Sequence, residues 1–253
     1  MGSIATERLL RFRSARIDGR KPSFGRRFSM TLKEHASMSN SEPAGDELPA
    51  EYHQMPEAGH RSDRAASPLV RGDRRAISGP SPITVTERIN GHLILRGPPE
   101  TLSAAVVKSL GLALPIAPLT SSVRAALCIR WLGPDEWLLT LPLDDLAQAE
   151  ADLRDAGGAE IALVDVSGGQ TVLVVQGDSA IQVLMKSTSY DVGLQNFPVG
   201  KVVTTTFAQA QVVMRRMNEV TFELILRRSF ADYLWAWLRD AASEFGFASQ
   251  DEA

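Results

Sequence analysis

The chain has 253 residues, enough for one sizeable domain or two small ones, and 44% of them are hydrophobic, as in ordinary globular proteins. Its formal net charge of -3 argues against general binding to nucleic acid, and no apolar run is long enough to span a membrane. The single cysteine, Cys128, excludes an internal disulfide bond and gives no reason to expect an oxidising compartment, so a cytoplasmic location is expected.

Residues 1–80 differ in composition from the rest of the chain. They hold 14 Lys+Arg and 10 Asp+Glu, against 13 and 20 in residues 81–253. They lack the apolar periodicity that forms a core, which predicts disorder, and deletion of residues 1–78 is expected to leave folding intact. Open alternatives are a transit peptide, a basic arm for an acidic partner, and an extension upstream of a later start, with plain disorder or the last one favoured. Candidate later starts are Met30, Met38 and Met55.

The body, residues 81–253, begins with paired strand patterns. Asn90-Gly91 between two apolar runs is a strong signal for a hairpin, and short turn-forming segments separate two further pairs. The sequence therefore predicts three hairpins. Their strands are Ile83–Ile89 with His92–Arg96, Arg124–Leu132 with Glu136–Leu141, and Ile161–Val166 with Thr171–Val175.

Single helices are predicted between these pairs, and a three-stranded meander precedes the last helix. The helices are Glu100–Leu110, Leu143–Ala156, Asp178–Lys186 and Ser229–Phe245, the last with Ser229 as its N-cap. The meander strands are Lys201–Phe207, Gln211–Met217 and Val220–Leu226. This order predicts an α+β domain in which antiparallel sheets built from hairpins carry helices on one face.

Residues that could carry chemistry are few in the body. It has neither a glycine-rich phosphate loop nor a Cys/His pair with metal spacing, and three of the four histidines lie in residues 1–80. His92 follows the first turn and is expected to be a solvated strand-end residue. Arg227 and Arg228 could bind an anionic group or a partner, although a solvated strand-to-helix corner is favoured. The prediction is therefore no catalytic, cofactor-binding or metal-binding residue in this chain.

Trp235 is the third candidate partner-binding residue, beside Arg227 and Arg228. At 100° per residue, the apolar stripe of the last helix passes through Tyr233 and Trp237, whereas Trp235 lies off it on a polar flank. Tryptophan is enriched among interface anchors, so Trp235 either contacts a partner subunit or folds over a strand or loop of its own domain.

Four segments of the body resemble the gamma subunit of bacterial heterotetrameric sarcosine oxidase. Two of them, W-L-G-P-D-E-W-L-L and F-E-L-I-L-R-R-S-F-A-D-Y-L-W-A-W-L, are long and specific. The resemblance runs from about Ile83 to Phe245 and leaves residues 1–80 unexplained. The four segments are Trp131–Leu139, Val164–Leu173, Phe197–Gly200 and Phe222–Leu238.

The resemblance implies a complex with alpha, beta and delta subunits that oxidises sarcosine to glycine and passes the one-carbon unit to tetrahydrofolate. FAD, FMN and NAD are implied for the complex and are held by its larger subunits, with no cofactor in this chain. A gamma-like subunit of N-methylglutamate dehydrogenase, or a stand-alone folate-dependent aminomethyltransferase-like protein, are the alternatives.

The gamma family is also similar in fold to the folate-binding domain of the glycine cleavage T-protein. Asp165–Ser167, Gly177–Ala180 and the loop Ser189–Asp191 with Gly200 echo that family. The T-protein's folate-handling aspartate follows this loop in a Gly-Gly-Ile-x-Asp-Asp segment, and the nearest stretch here, Phe207–Val213, has neither glycine nor aspartate. The resemblance therefore implies a non-catalytic subunit on the fold of a catalytic family.

Overall fold

The computed structural model describes residues 66–69 and 72–250, which form two β-sheets packed face to face with helices on their outer sides. The strands are β1 (Ile83–Arg88), β2 (Asn90–Arg96), β3 (Ser121–Arg124), β4 (Leu127–Gly133), β5 (Glu136–Pro142), β6 (Ala162–Asp165), β7 (Gln170–Gln176), β8 (Val202–Phe207), β9 (Ala210–Arg216), β10 (Thr221–Arg227) and β11 (Phe247–Gln250). The helices are α1 (Pro99–Leu110), α2 (Leu146–Gly157), α3 (Ala180–Ser187) and α4 (Ala231–Ala241). None of the helices in this described part is long and apolar enough to cross a membrane.

The strand order places two pairs of sequence neighbours, β1 with β2 and β6 with β7, in different sheets. The six-stranded sheet has the order β11-β1-β7-β10-β9-β8, with β11 and β1 parallel and the other neighbours antiparallel. The five-stranded sheet has the order β3-β4-β5-β2-β6 and is antiparallel throughout. The predicted α+β class with antiparallel sheets is confirmed, and each sheet carries helices on one of its faces.

Alternation along each strand divides the apolar side chains among three clusters. One face of the five-stranded sheet packs against α1 and α2, and one face of the six-stranded sheet packs against α3 and α4. The opposite faces meet in a smaller apolar cluster that includes Leu138, Val172, Val174 and Ile225. Because successive strand residues point to opposite faces, every second residue of β4, β7, β9 and β10 faces the other sheet.

Two of the three predicted hairpins are wrong, and both are crossings between sheets. The hairpin of β4 with β5 and the meander of β8, β9 and β10 are confirmed. In contrast, β1 pairs with β11 and β7 while β2 pairs with β5 and β6, and β6 and β7 also lie in different sheets. Gly91 does not have a positive φ; a Cβ there would lie 3.2 Å from the Cβ of Leu146, so close packing explains this glycine.

The described residues before β1 belong to the body. Leu69 is buried in the core of the six-stranded sheet, and the backbone of Ile77 exchanges two 2.8 Å hydrogen bonds with Phe247 of β11. Residues in 66–69 and 72–79, which the prediction assigns to the extension, therefore contact the body through β1, α4 and β11. Residues 1–65, 70 and 71, to which the prediction of disorder also applies, lie outside the described residues.

Candidate functional site

A buried charged cluster links the two sheets. Arg130 of β4 donates through Nη2 to Oε2 of Glu223 on β10, and Arg215 Nε donates to the same oxygen at 3.0 Å. Arg130 also donates through Nη1 to Thr140 Oγ1 at 2.7 Å. The side chains of Arg130 and Glu223 are only 0% and 9% exposed. Each of the three charged residues stands at a strand position that faces the opposite sheet, so the alternation of β4, β9 and β10 brings them together.

The electrostatics of this cluster favour the ionised carboxylate. Burial alone raises the pKa of Glu223, but the guanidiniums of Arg130 and Arg215 and their hydrogen bonds lower it to about 2. Two arginines and one glutamate leave the cluster with one unit of positive charge. Burial raises the pKa of the nearby Cys128 thiol, which disfavours its thiolate form.

His92 lies on the same inner face and is fully buried, so the prediction of a solvated strand-end histidine is wrong. It stands opposite Thr140 in the pairing of β2 with β5, and neither of its ring nitrogens has a hydrogen-bond partner among the described residues. Burial and the charge of Arg130 lower its pKa to about 4, so the imidazole is neutral at physiological pH. The sequence suggested solvation because the residue follows a turn, but that turn crosses between sheets.

The cluster contains ionisable groups without access for a substrate. A general acid or base must lie within hydrogen-bond reach of the reacting group, and these side chains are enclosed between two sheets. The cluster joins β4 of one sheet to β9 and β10 of the other. The signal in the sequence was a charged residue within an apolar strand pattern, namely Arg130 in L-C-I-R-W-L and Glu223 in F-E-L-I-L. Neither pattern alone identifies the partner of its charged residue.

The strand-to-helix corner after β10 holds two of the predicted partner-binding residues. Arg227 is exposed at the end of β10, whereas Arg228 is half-buried and donates to the carbonyl of Ala66. Residues Arg228–Phe230 form a 3-10 turn, and α4 then begins at Ala231 with Phe230 as its N-cap residue. The predicted N-cap Ser229 is therefore wrong. Phe230 and Tyr233 are 40% and 37% exposed.

Trp235 is covered by its own chain and not exposed on a polar flank. Its side chain is 1% exposed, its Nε1 donates to the carbonyl of Asp73 at 3.0 Å, and Phe247 packs edge-on at 5.4 Å. A Cβ at Gly72 would lie 3.2 Å from the indole, so residues 72 and 73 fit closely over it. This is the second of the two placements left open by the sequence, and a direct contact with another subunit would require this segment to move away.

The positions that echo the T-protein have local structural partners. Phe207–Val213 forms the turn and first part of the β8–β9 hairpin. Asp191 accepts hydrogen bonds from the backbone of Gly193 and the amide of Asn196, which lower its pKa, and Asp165 accepts from Ser167. These carboxylates hold loops and crossings in place. Among residues 66–69 and 72–250, no group of three or more His, Cys, Asp or Glu side chains could hold a metal ion.

Comparison with known proteins places this fold in a family. Residues 97–244, more than half of the chain, match the family described as "Sarcosine oxidase, gamma subunit family". The chain belongs to this family. The sarcosine oxidase subunit gamma of Corynebacterium sp. (strain U-96) is 33% identical over 193 residues, which cover 74% of this chain and 93% of that relative. The same subunit from Corynebacterium sp. (strain P-1) is 36% identical over 145 residues, 56% of this chain and 70% of the relative.

Solved structures agree with this family assignment. A chain of heterotetrameric sarcosine oxidase from Corynebacterium sp. U-96, in complex with pyrrole 2-carboxylate, is 31% identical with a TM-score of 0.60, and the match covers 74% of this chain and 94% of that one. The glycine cleavage aminomethyltransferase T of Bartonella henselae has a TM-score of 0.50 at 17% identity, covering 68% of this chain and 48% of that one. The second likeness concerns the fold alone. The predicted membership of the gamma subunit family and the predicted likeness in fold to the T-protein are both confirmed.

Proposed function

We propose that this chain is a non-catalytic gamma subunit of a cytoplasmic heterotetrameric sarcosine oxidase. Its partners would be alpha, beta and delta subunits, and the complex would demethylate sarcosine to glycine and pass the one-carbon unit to tetrahydrofolate. FAD, FMN, NAD and tetrahydrofolate would be held by other subunits. Support for the assembly comes from the structural match to a chain of heterotetrameric sarcosine oxidase. The match covers 94% of that chain.

Support for a non-catalytic role comes from the ionisable groups of the body. The strongly perturbed His92 and Glu223 are enclosed between sheets, and Asp165 and Asp191 are engaged by their own loops. Catalysis needs such a group to be positioned beside a reacting atom. A subunit with this distribution contributes surface and stability to a complex and leaves the chemistry to its partners.

Co-expression with the other three subunits and purification through a tag on one of them tests this function. We expect this chain to be retained, the complex to oxidise sarcosine, and the chain purified alone to be colourless and inactive. Stoichiometric flavin in the isolated chain, or binding of tetrahydrofolate to it in a titration, would refute the non-catalytic assignment. If the chain were instead retained by the subunits of an N-methylglutamate dehydrogenase, the substrate assigned to its complex would be N-methylglutamate.

The predicted contact residues give a second arm to this experiment. We propose that Arg227, together with the exposed Phe230 and Tyr233 that follow it in the sequence, contacts a partner, because arginine and aromatic side chains are enriched at interfaces. Arg228 and Trp235 would act indirectly, through Ala66 and Asp73 of the covering segment. Arg227→Glu should lower retention in the complex without changing the melting temperature of the isolated subunit, and unchanged retention would refute this contact.

A further inference from the structure

A surface cleft of about 380 Å³ lies between two segments, residues 118–121 leading into β3 and residues 198–201 leading into β8. Two hydrogen bonds join its walls. The amide of Val202 donates to the carbonyl of Leu119 at 2.8 Å, and Ser121 Oγ donates to the carbonyl of Gly200 at 2.7 Å. The two loops therefore form one surface feature.

Both walls contain a residue with a positive φ, which is ordinary for glycine but unusual for leucine. Leu119 has a φ of 62° and Gly200 a φ of 83°, in the left-handed region that a branched side chain such as leucine rarely occupies. The hydrogen bond from the amide of Val202 to the carbonyl of Leu119 stabilises this backbone conformation. Residues kept in such conformations by their surroundings are concentrated at binding and active sites, because the strain fixes a shape in advance.

The wall formed by residues 198–201 is anchored to the core just before the cleft. Phe197 is fully buried, stacks on Phe222 at 6.2 Å and accepts a 3.0 Å hydrogen bond from Arg216 through its carbonyl. The cleft therefore needs little rearrangement before binding, which lowers the entropic cost of docking.

The lining combines apolar surface with an unmatched positive charge. Val199 is 53% exposed and Leu119 is 37% exposed, and prolines flank both. The amine of Lys201 donates to the carbonyl of Asn196 at 2.7 Å and lies 5.9 Å from the Tyr190 ring centroid, with no ion pair to an Asp or Glu of the described residues. An occupant that complements this cleft carries an apolar group beside a carboxylate.

We propose that this cleft is a docking site for a segment of another subunit, which inserts an apolar side chain against Leu119 and Val199 and places an Asp or Glu carboxylate at Lys201. The inference rests on the proposed function, since it presupposes assembly. The occupant is a protein segment because an open cleft between preformed loops suits one anchoring side chain, the usual unit of an interface hot spot. The carboxylate at Lys201 adds charge complementarity, which favours the correct partner and excludes a basic one.

The test measures retention of variants in the complex co-expressed with the other three subunits. Val199→Asp and Lys201→Glu should each lower retention at least about tenfold, because each places a negative charge where the partner brings one. Met185→Asp is the matched control, since Met185 is 57% exposed on α3, and its retention should stay near that of the wild type. Melting temperatures of the isolated variants establish that they fold.

Lys201→Met keeps most of the apolar side chain but removes the charge and the hydrogen bond to Asn196, so it tests the ion pair even if Lys201→Glu fails to fold. Retention of Val199→Asp and Lys201→Met at the wild-type level, in a complex that the wild type joins, would overturn the docking site alone. A wild-type chain that joins no complex would refute the proposed function, and with it this inference. Assembly that is intact in all variants, with a small carboxylic acid bound at Lys201 in an NMR titration with acetate, would assign the cleft to a small ligand instead.

Discussion

Replacement of Glu223 by glutamine removes the only negative charge from the buried cluster while keeping the size of the side chain. The variant leaves Arg130 and Arg215 facing the same amide, with their two positive charges enclosed between the sheets. Breaking a buried ion pair by removing one partner is strongly destabilising, because the remaining charge cannot be solvated.

The magnitude follows from the carboxylate's pKa. The difference between about 2 in the fold and the ordinary value of 4.5 corresponds to about 3 kcal/mol of stability at neutral pH. Because the folded pKa is the lower one, this stability is present above pH 4.5 and is lost as the pH falls towards 2. We therefore expect Glu223→Gln to lower the free energy of unfolding by about 3 kcal/mol at pH 7 and by about 2 kcal/mol at pH 3.5.

Urea unfolding of the full chain at pH 7, 5 and 3.5 measures both values. Glu136→Gln is the control, because Glu136 forms only a surface ion pair with Arg96 at 3.7 Å and should change stability by less than about 1 kcal/mol. A loss below about 1 kcal/mol for Glu223→Gln at pH 7 would refute the reasoning. The reasoning would also be refuted if the difference in free energy of unfolding between the wild type and Glu223→Gln changed markedly between pH 7 and pH 5.

Three further predictions concern burial. The lowered pKa of His92 means that the wild type loses stability as the pH falls from 6.5 to about 4, and His92→Leu should remove this loss in urea unfolding; an unchanged pH dependence would contradict it. Trp235→Ala should cost about 3–5 kcal/mol of unfolding free energy, and a cost under about 1 kcal/mol would mean that the indole is not core. A chain beginning at residue 80 should unfold at least about 2 kcal/mol more easily than one beginning at residue 66, because Leu69 and the Ile77 pairing are removed, and equal stability would exclude packing of this segment.

Local patterns were sufficient for most helices, for the β4–β5 hairpin and for the meander, but not for the β3–β4 hairpin, whose first strand was not predicted. Gly133-Pro134-Asp135 joins two strands of the same sheet, and the four predicted helices agree with α1 to α4 within a few residues except at the end of α4. Asn90-Gly91 has the composition of a hairpin turn but joins strands of different sheets. The two cases look alike in sequence because alternation fixes which face a residue takes and does not fix which strand lies beside it.

The candidate site depended still more on distant contacts. Arg130 and Glu223 are 93 residues apart in sequence, and Trp235 is covered by a segment 162 residues away. The helical wheel placed Tyr233 on the apolar stripe and Trp235 on a polar flank, but Trp235 is buried and Tyr233 is 37% exposed. The wheel could not include residues 72 and 73, which lie over the Trp235 flank.

The sequence by itself therefore determined the periods of the helices and strands, the acidic body and the motifs that identify the gamma subunit family. Only the tertiary structure decided which strands share a sheet, that His92 and Trp235 are buried, and that one glutamate forms ion pairs with two arginines. The physical reason is that helix and strand periods arise from neighbours along the chain, whereas burial and ion pairing gain their free energy from contacts that exist only once distant segments have packed together.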